Sequence, residues 1–345
     1  MNKSKIMYQD LMNGEIHKSI LQSFVRCKAL IRFLGLSITS PNEIYITEDD
    51  WGTYLKNKGS FFHDFASYFG ITTNGDDFIS TLRNLHKRKL LVPAEIGEIK
   101  DIFIDYTLPE DEMKDPESAF VNYYHMIDAY LGFEAGRLLE LRNMKFDDLL
   151  ALWKPVAVEL EFDVKKHIDF PEKIVDEFSV SDMIFKAKGT VDRINRFDLE
   201  AKTLEIMEYK TGGWNNQSGS KLTNVRRELA FYGLFNSPMD ANGKKWDMTQ
   251  MSCYNPEVPL AIGYMTQPIK SVSTNAMLKQ LLKLVLALEE DDFDQPVCSP
   301  YVCSFCNYLD TCGTYYKEQW DATNGNFQDT QDKRHIERKK NVAPY

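Results

Sequence analysis

Two runs of partly alternating apolar and polar residues, joined by a five-residue polar connector, constrain this fold more than any other stretch of the chain. From Met183 to Phe197 the chain reads M-I-F-K-A-K-G-T-V-D-R-I-N-R-F, and from Leu204 to Lys210 it reads L-E-I-M-E-Y-K, with D-L-E-A-K between. Alternation of period two marks strands, and so short a polar link predicts an antiparallel hairpin. If Phe197 faces Thr203, cross-strand partners have numbers that sum to 400, and Asp192 stands opposite Glu208. Lys210, two residues beyond Glu208, then shares their face, while Val191, Met207 and Tyr209 turn to the other. A slip of one residue would scatter the three charged groups.

Two carboxylates on adjacent strands suit a hard divalent cation such as Mg2+ or Mn2+. Such an ion polarises a phosphodiester and makes a bound water acidic, and a neighbouring lysine can orient that water. Taken alone, a D…E-x-K spacing is more often an exposed hairpin with solvated charges. Two upstream features join it. K-P-V-A-V-E-L-E-F-D-V reads as a strand with Glu159 and Glu161 on one face, and K-G-S-F-F-H-D-F sets His63 behind a glycine where a helix begins. By itself a histidine among phenylalanines is ordinarily a packed core residue.

A second constellation is made of thiols. Cys303, Cys306 and Cys312 form C-x-x-C-x-x-x-x-x-C, a spacing that serves zinc or an iron–sulfur cluster. Composition alone favours zinc. The fourth ligand has two candidates: Cys298 close by, and Cys27 in the amphipathic helical stretch S-I-L-Q-S-F-V-R-C-K-A-L-I-R-F-L-G. Cys253, in M-T-Q-M-S-C-Y, reads as a core residue.

In chain order, a cysteine, G-x-x-x-H, a glutamate, G-x-x-D-R, E-x-K, a helix with R-R-E-L-A-F-Y, and C-x-x-C-x-x-x-x-x-C resembles the RecB-like nucleases of the PD-(D/E)XK superfamily. The resemblance runs from Cys27 to Cys312 and is nearest to the iron–sulfur branch, which includes the AddB nuclease domain and the nucleases of CRISPR adaptation. It implies an α/β restriction-endonuclease-like core, a mixed sheet flanked by helices, within a nuclease domain over 1–327. That domain would carry a helical insertion at about 74–152 and an iron–sulfur segment at 298–316, followed by a polar tail at 328–345. It also implies that His63, Asp192, Glu208 and the Tyr209 carbonyl are metal ligands and that Lys210 is the catalytic lysine. Glu159 matches the family's upstream glutamate better than Glu161. By the same resemblance Cys27, Cys303, Cys306 and Cys312 hold a 4Fe-4S cluster. The late helix usually carries a glutamine ahead of its tyrosine; Glu228 stands before Tyr232 here, which leaves its role open, and Arg227 and Tyr232 are the expected DNA-backbone contacts.

The 345 residues, 43% of them hydrophobic, suffice for one large domain or two small ones. A net charge of −10 argues against broad nonspecific nucleic-acid binding but not against a local basic channel, for which Arg26, Lys28, Arg32, Arg226 and Arg227 are candidates. His86 to Lys89 reads as a solvated basic face. L-L-K-L-V-L-A-L is interrupted by Lys283, and the opening M-N-K-S-K is no secretory signal, so a cytoplasmic protein without a membrane span is expected. With no G-x-x-x-x-G-K-[ST] motif, a helicase or CRISPR integrase partner is expected to be a separate chain. The expected activity is a metal-dependent DNA exonuclease acting on single strands or ends, in repair, recombination or CRISPR adaptation. The competing expectation is an idle DNA-binding or redox-responsive iron–sulfur scaffold, which the joint presence of Asp192, Glu208 and Lys210 opposes.

Overall fold

The computed structural model describes residues 3–41, 50–107, 116–212, 214–217, 219–241, 243–299, 303, 306–322, 327, 328 and 330. Its elements in chain order begin with α1 (Lys3–Met12), β1 (Glu15–His17), α2 (Lys18–Arg26), α3 (Ala29–Thr39) and α4 (Asp50–Thr72). There follow α5 (Asp76–Lys87), α6 (Ile96–Thr107), α7 (Pro116–Glu140), α8 (Phe146–Trp153), β2 (Pro155–Asp169) and α9 (Glu172–Phe178). Then come β3 (Asp182–Asp198), β4 (Thr203–Tyr209), α10 (Gly219–Asn236), β5 (Met239–Ala241), β6 (Lys244–Tyr254), α11 (Leu260–Gly263) and β7 (Tyr264–Pro268). The chain closes with α12 (Ser271–Glu290), α13 (Leu309–Tyr315) and α14 (Lys317–Ala322). Of the tail expected at 328–345, only Gln328 and Thr330 are described; 300–302, 304 and 305 of the expected iron–sulfur segment also lie outside the described residues.

The strands form one mixed sheet in the order β1-β3-β4-β6-β5, with β2 on β3 and β7 on β6. β3 and β4 are antiparallel, with Arg193 on Met207, Ile194 on Ile206, Asn195 on Glu205 and Arg196 on Leu204. These are the partners predicted from the hairpin. At the turn the prediction is off by one, because a bulge between Arg196 and Asp198 puts Asp198, not Phe197, opposite Thr203. β4 runs parallel to β6, and from Leu204 to Tyr209 every residue is buried, the carboxylates Glu205 and Glu208 included.

The chain divides into two compact units, one of Met1–Leu55, Asp163–Gly189 and Asn275–Tyr345, the other of Lys56–Phe162 and Thr190–Thr274. In the second, a core of Phe62, Phe65 and Phe69 from α4 packs with α7, Trp153 of α8, and Met207 and Tyr209 of β4. Trp153 stacks on both Phe78 and Phe103, with ring centroids 5.8 and 5.7 Å away, and those two rings meet each other at 5.9 Å. The stretch 74–152 is thus helical over its described part, and its residues furnish most of this core. α10 packs on β4 and β6, where Gly233 admits a close approach: a Cβ there would sit 2.9 Å from Ile269 Cδ1. In the first unit α12 buries Met277, Leu278, Leu281 and Leu282 at helical spacing. Among the described residues no helix is long and apolar enough to cross a membrane.

Candidate active site

His63 lies inside α4 rather than at the start of a helix, beside the core-facing Phe62, and its ring meets that of Tyr209 edge-on at 6.0 Å. Its Nδ1 is 3.5 Å from Glu159 Oε1 on β2 and 3.5 Å from Asp192 Oδ1 on β3. These three residues offer ligand atoms that all lie within 4.8 Å of one another. Glu159 reaches the group from a backbone with φ of 45°, a left-handed kink inside β2, whereas Glu161 stays outside it. Asp192 is nearly buried, and its Oδ2 accepts a 2.7 Å hydrogen bond from the Tyr209 N–H, which fixes the carboxylate. Burial alone would lower the His63 pKa, but the Asp192 and Glu159 carboxylates raise it to about 10. A proton on the imidazole therefore supplies the positive charge that the two carboxylates require. A hard divalent cation meets the same need, and the donor set of one imidazole and two carboxylates fits Mg2+ or Mn2+.

Glu208 lies outside that close group. Its Oε1 is 2.6 Å from Lys210 Nζ, and the same ammonium lies 3.1 Å from both oxygens of Glu228 on α10. The lysine is thus lodged between two carboxylates whose side chains are each 3% exposed. Tyr232, one turn beyond Glu228, is buried edge-on against Phe162 and electrostatically coupled to Glu208 and Glu228. Arg227 is half-buried on the same helix. Of the other basic residues singled out in the sequence, Lys28 pairs with Asp292 at 2.5 Å, Arg32 with Asp294 at 3.1 Å, and Arg226 donates to Gln267. His86 contacts the Met144 carbonyl, and Lys87 to Lys89 are exposed.

A second layer of residues has no signature in the motifs. Arg193, next to Asp192 but turned into the core, is 1% exposed and meets Glu134 of α7 at 2.7 Å. It also donates to the Trp153 carbonyl at 3.1 Å and the Tyr130 hydroxyl at 3.2 Å. Glu134 had a signal, since L-G-F-E-A-G-R-L-L sets a carboxylate in an apolar helix face, and such a charge needs a buried partner. Beyond Lys210 the chain is clasped: Glu257 accepts from the Gly212 N–H and from Lys58 Nζ, and Asn255 Nδ2 donates to the carbonyls of Gly212 and Trp214 at 2.9 and 2.7 Å. Nothing in the spacing of Lys58, Asn255 and Glu257 announces that clasp.

In the other unit Cys27, Cys303, Cys306 and Cys312 line one small, mostly apolar pocket with Leu30, Phe33 and Leu309. Cys298 is buried in the same cluster as Cys303 and Cys312, with φ of 47°, close enough to Cys27 for their charges to interact, although it is not among the pocket's lining residues. The helical stretch expected around Cys27 is in fact two helices, α2 and α3, broken at Cys27, whose φ of −166° and ψ of 120° are extended. That break sets the thiol at the pocket rather than on a helix face. Burial raises the pKa of Cys303 to about 11 and of Cys312 to about 12, so without a metal these groups are thiols.

A mixed sheet flanked by helices, holding a histidine–carboxylate group and a lysine set between carboxylates, defines a protein equipped for metal-assisted hydrolysis of a phosphate ester. The chain belongs to the PD-(D/E)XK nuclease superfamily, whose family model matches residues 21–313. Members of that superfamily use divalent metals such as Mg2+ or Mn2+. Among solved structures, that of SSO0001 is similar at 12% identity, covering 66% of this chain and 96% of that one with a TM-score of 0.29. No curated protein matches the chain.

Proposed function

We propose that the chain is a metal-dependent deoxyribonuclease that trims single strands or DNA ends, in repair, recombination or CRISPR adaptation, as RecB-like nucleases of the iron–sulfur branch do. One observation carries this reading: His63, Glu159 and Asp192 converge within 4.8 Å in the unit that also lodges Lys210 between Glu208 and Glu228. His63, Asp192, Glu208 and the Tyr209 carbonyl would hold Mg2+ or Mn2+, with Glu159 beside them. The ion supplies phosphodiester polarisation and an acidic water when bound. Lys210 orients that water, and the carboxylates of Glu208 and Glu228 keep its ammonium in place. Arg227 steadies a backbone phosphate, while Tyr232, which is buried, supports Glu228 and Glu208 rather than meeting DNA directly. Cys27, Cys303, Cys306 and Cys312 carry a 4Fe-4S cluster that fastens the N-terminal helices to the C-terminal segment. The protein works in the cytoplasm with a separate helicase or integrase.

The test uses anaerobically purified protein and end-labelled single-stranded DNA, with Mn2+ or with chelator. Cleavage is expected only with the metal, and Lys210→Met or Asp192→Asn should lower kcat by about 10²-fold or more while circular dichroism is unchanged. Wild-type rates in either folded variant would overturn the assignment of these residues.

A further inference from the structure

The unit that carries His63, Glu159 and Asp192 also contains a cleft of about 500 Å3 that the metal-binding group does not use. Ala151 of α8, Lys154 just before β2, Arg196 of β3, and Asp147 and Asp240 are among its lining residues. Arg196 is braced there: Nη1 donates to the Ala151 carbonyl at 3.3 Å, and the guanidinium lies 5.7 Å from the centre of the Trp246 ring. Lys154 lines the same cleft and feels both the Arg196 guanidinium and the Asp76 carboxylate, yet neither Lys154 nor Arg196 makes an ion pair within 4.0 Å among the described residues. Burial, and for Lys154 the charge on Arg196, depress both their pKa values. The two carboxylates at the rim are exposed and turned to other partners, Asp147 to Arg83 at 3.5 Å and Asp240 to the Gly243 N–H at 3.0 Å. Two partly buried like charges are unfavourable unless an anion joins them.

The position of the pair says which anion. Arg196 follows Asp192 by four residues on β3, about 13 Å at strand rise, and Lys154 precedes Glu159 by five. A strand with one phosphate at the His63–Asp192 group would have another within reach of the cleft. We propose that Lys154 and Arg196 form a second phosphate subsite that grips the backbone of the DNA strand away from the scissile bond. This subsite rests on the nuclease reading of the chain. Phosphate grips of this kind add affinity and register without reading sequence.

The experiment compares wild type with Lys154→Ala, Arg196→Gln and the double variant in two arms. In the first, Mn2+-dependent cleavage is followed on single-stranded oligonucleotides from two nucleotides upward. In the second, each substitution is placed in the Lys210→Met background, and fluorescence anisotropy records the salt dependence of oligonucleotide binding. The double variant should raise KM about tenfold at unchanged kcat on long oligonucleotides and leave dinucleotide cleavage unaltered. The slope of log affinity against log salt should fall by about 0.7, as expected when one phosphate of a single strand is no longer neutralised. An unchanged KM and salt slope would overturn the proposal, as would an equal loss on every length together with a lowered Tm, which would mark a packing role. Inorganic phosphate added to the anisotropy arm gives a further outcome: if the double variant loses competition by phosphate with no loss of strand affinity, the cleft is a free-anion site and the proposal falls. If wild type fails to cleave DNA, the nuclease reading falls and the binding arm still decides the cleft.

Discussion

Adjacent residues on β3 meet opposite demands: Asp192 turns to the histidine and Arg193 to a buried glutamate. The pairing of types D-R was legible in the sequence, but the partner Glu134 lies 59 residues upstream on α7, and sequence spacing carries no information about that pairing. Glu159 is a sharper case. The strand pattern left Glu159 and Glu161 on one face, and the left-handed backbone at Glu159, which period-two reasoning cannot foresee, distinguishes them. Holding a non-glycine residue there costs about 1–2 kcal/mol, a strain that tends to persist where function requires a side chain to be re-aimed. Glu159→Gly should therefore leave metal-free stability within about 1 kcal/mol of wild type, because relief of strain offsets the greater freedom of glycine in the unfolded chain. The same variant should lose most of the rise in Tm that Mn2+ gives the wild type. Thermal melts with and without Mn2+ read both effects, and a full metal-induced rise in the variant would remove Glu159 from the site.

Among elements, the β3–β4 hairpin was the most legible, since a short polar connector limits the registers that keep one face apolar. The bulge at Arg196 to Asp198 moved the turn by a residue without disturbing the pairs from Arg193 to Arg196. The parallel neighbour of β4 was not legible, because β6 arrives through α10 and that connection has no local signature. Nor did spacing identify the clasp on the segment after Lys210, held by hydrogen bonds from a side chain some forty residues later. Asn255 is fully buried and satisfies two backbone carbonyls in that segment. Asn255→Ala should leave both without that donor, lowering stability by about 2–4 kcal/mol and speeding amide exchange over 210–216. With Lys210 at the head of the segment, kcat should fall more than KM rises. Hydrogen-exchange mass spectrometry checks the local effect, and unaltered protection across those residues would show that the clasp does not hold them.

At the scale of the molecule, each compact unit is assembled from segments distant in sequence, and the cysteines are where that was readable. Cys27 and the group from Cys303 to Cys312 come from opposite ends of the chain and line the same pocket, whereas Cys298, the nearer neighbour in sequence, does not. Composition does not separate Cys27 from Cys298, because five thiols fall in one cluster or line its pocket, and the break between α2 and α3 sets Cys27 at that pocket. If a 4Fe-4S cluster bridges these ends, it closes a loop of nearly the whole chain, a constraint worth about 4–5 kcal/mol by analogy with a long-loop disulfide. Cys27→Ala should then yield protein with little iron, without the broad visible absorption that bleaches on reduction, and with a Tm several degrees below wild type. Cys298→Ala should keep its colour and nearly full iron if Cys27 is the fourth ligand. Iron analysis and visible spectra of anaerobically prepared protein separate the two variants. Full iron in Cys27→Ala together with loss in Cys298→Ala would place the fourth ligand at Cys298 and leave the N-terminal helices held by packing alone.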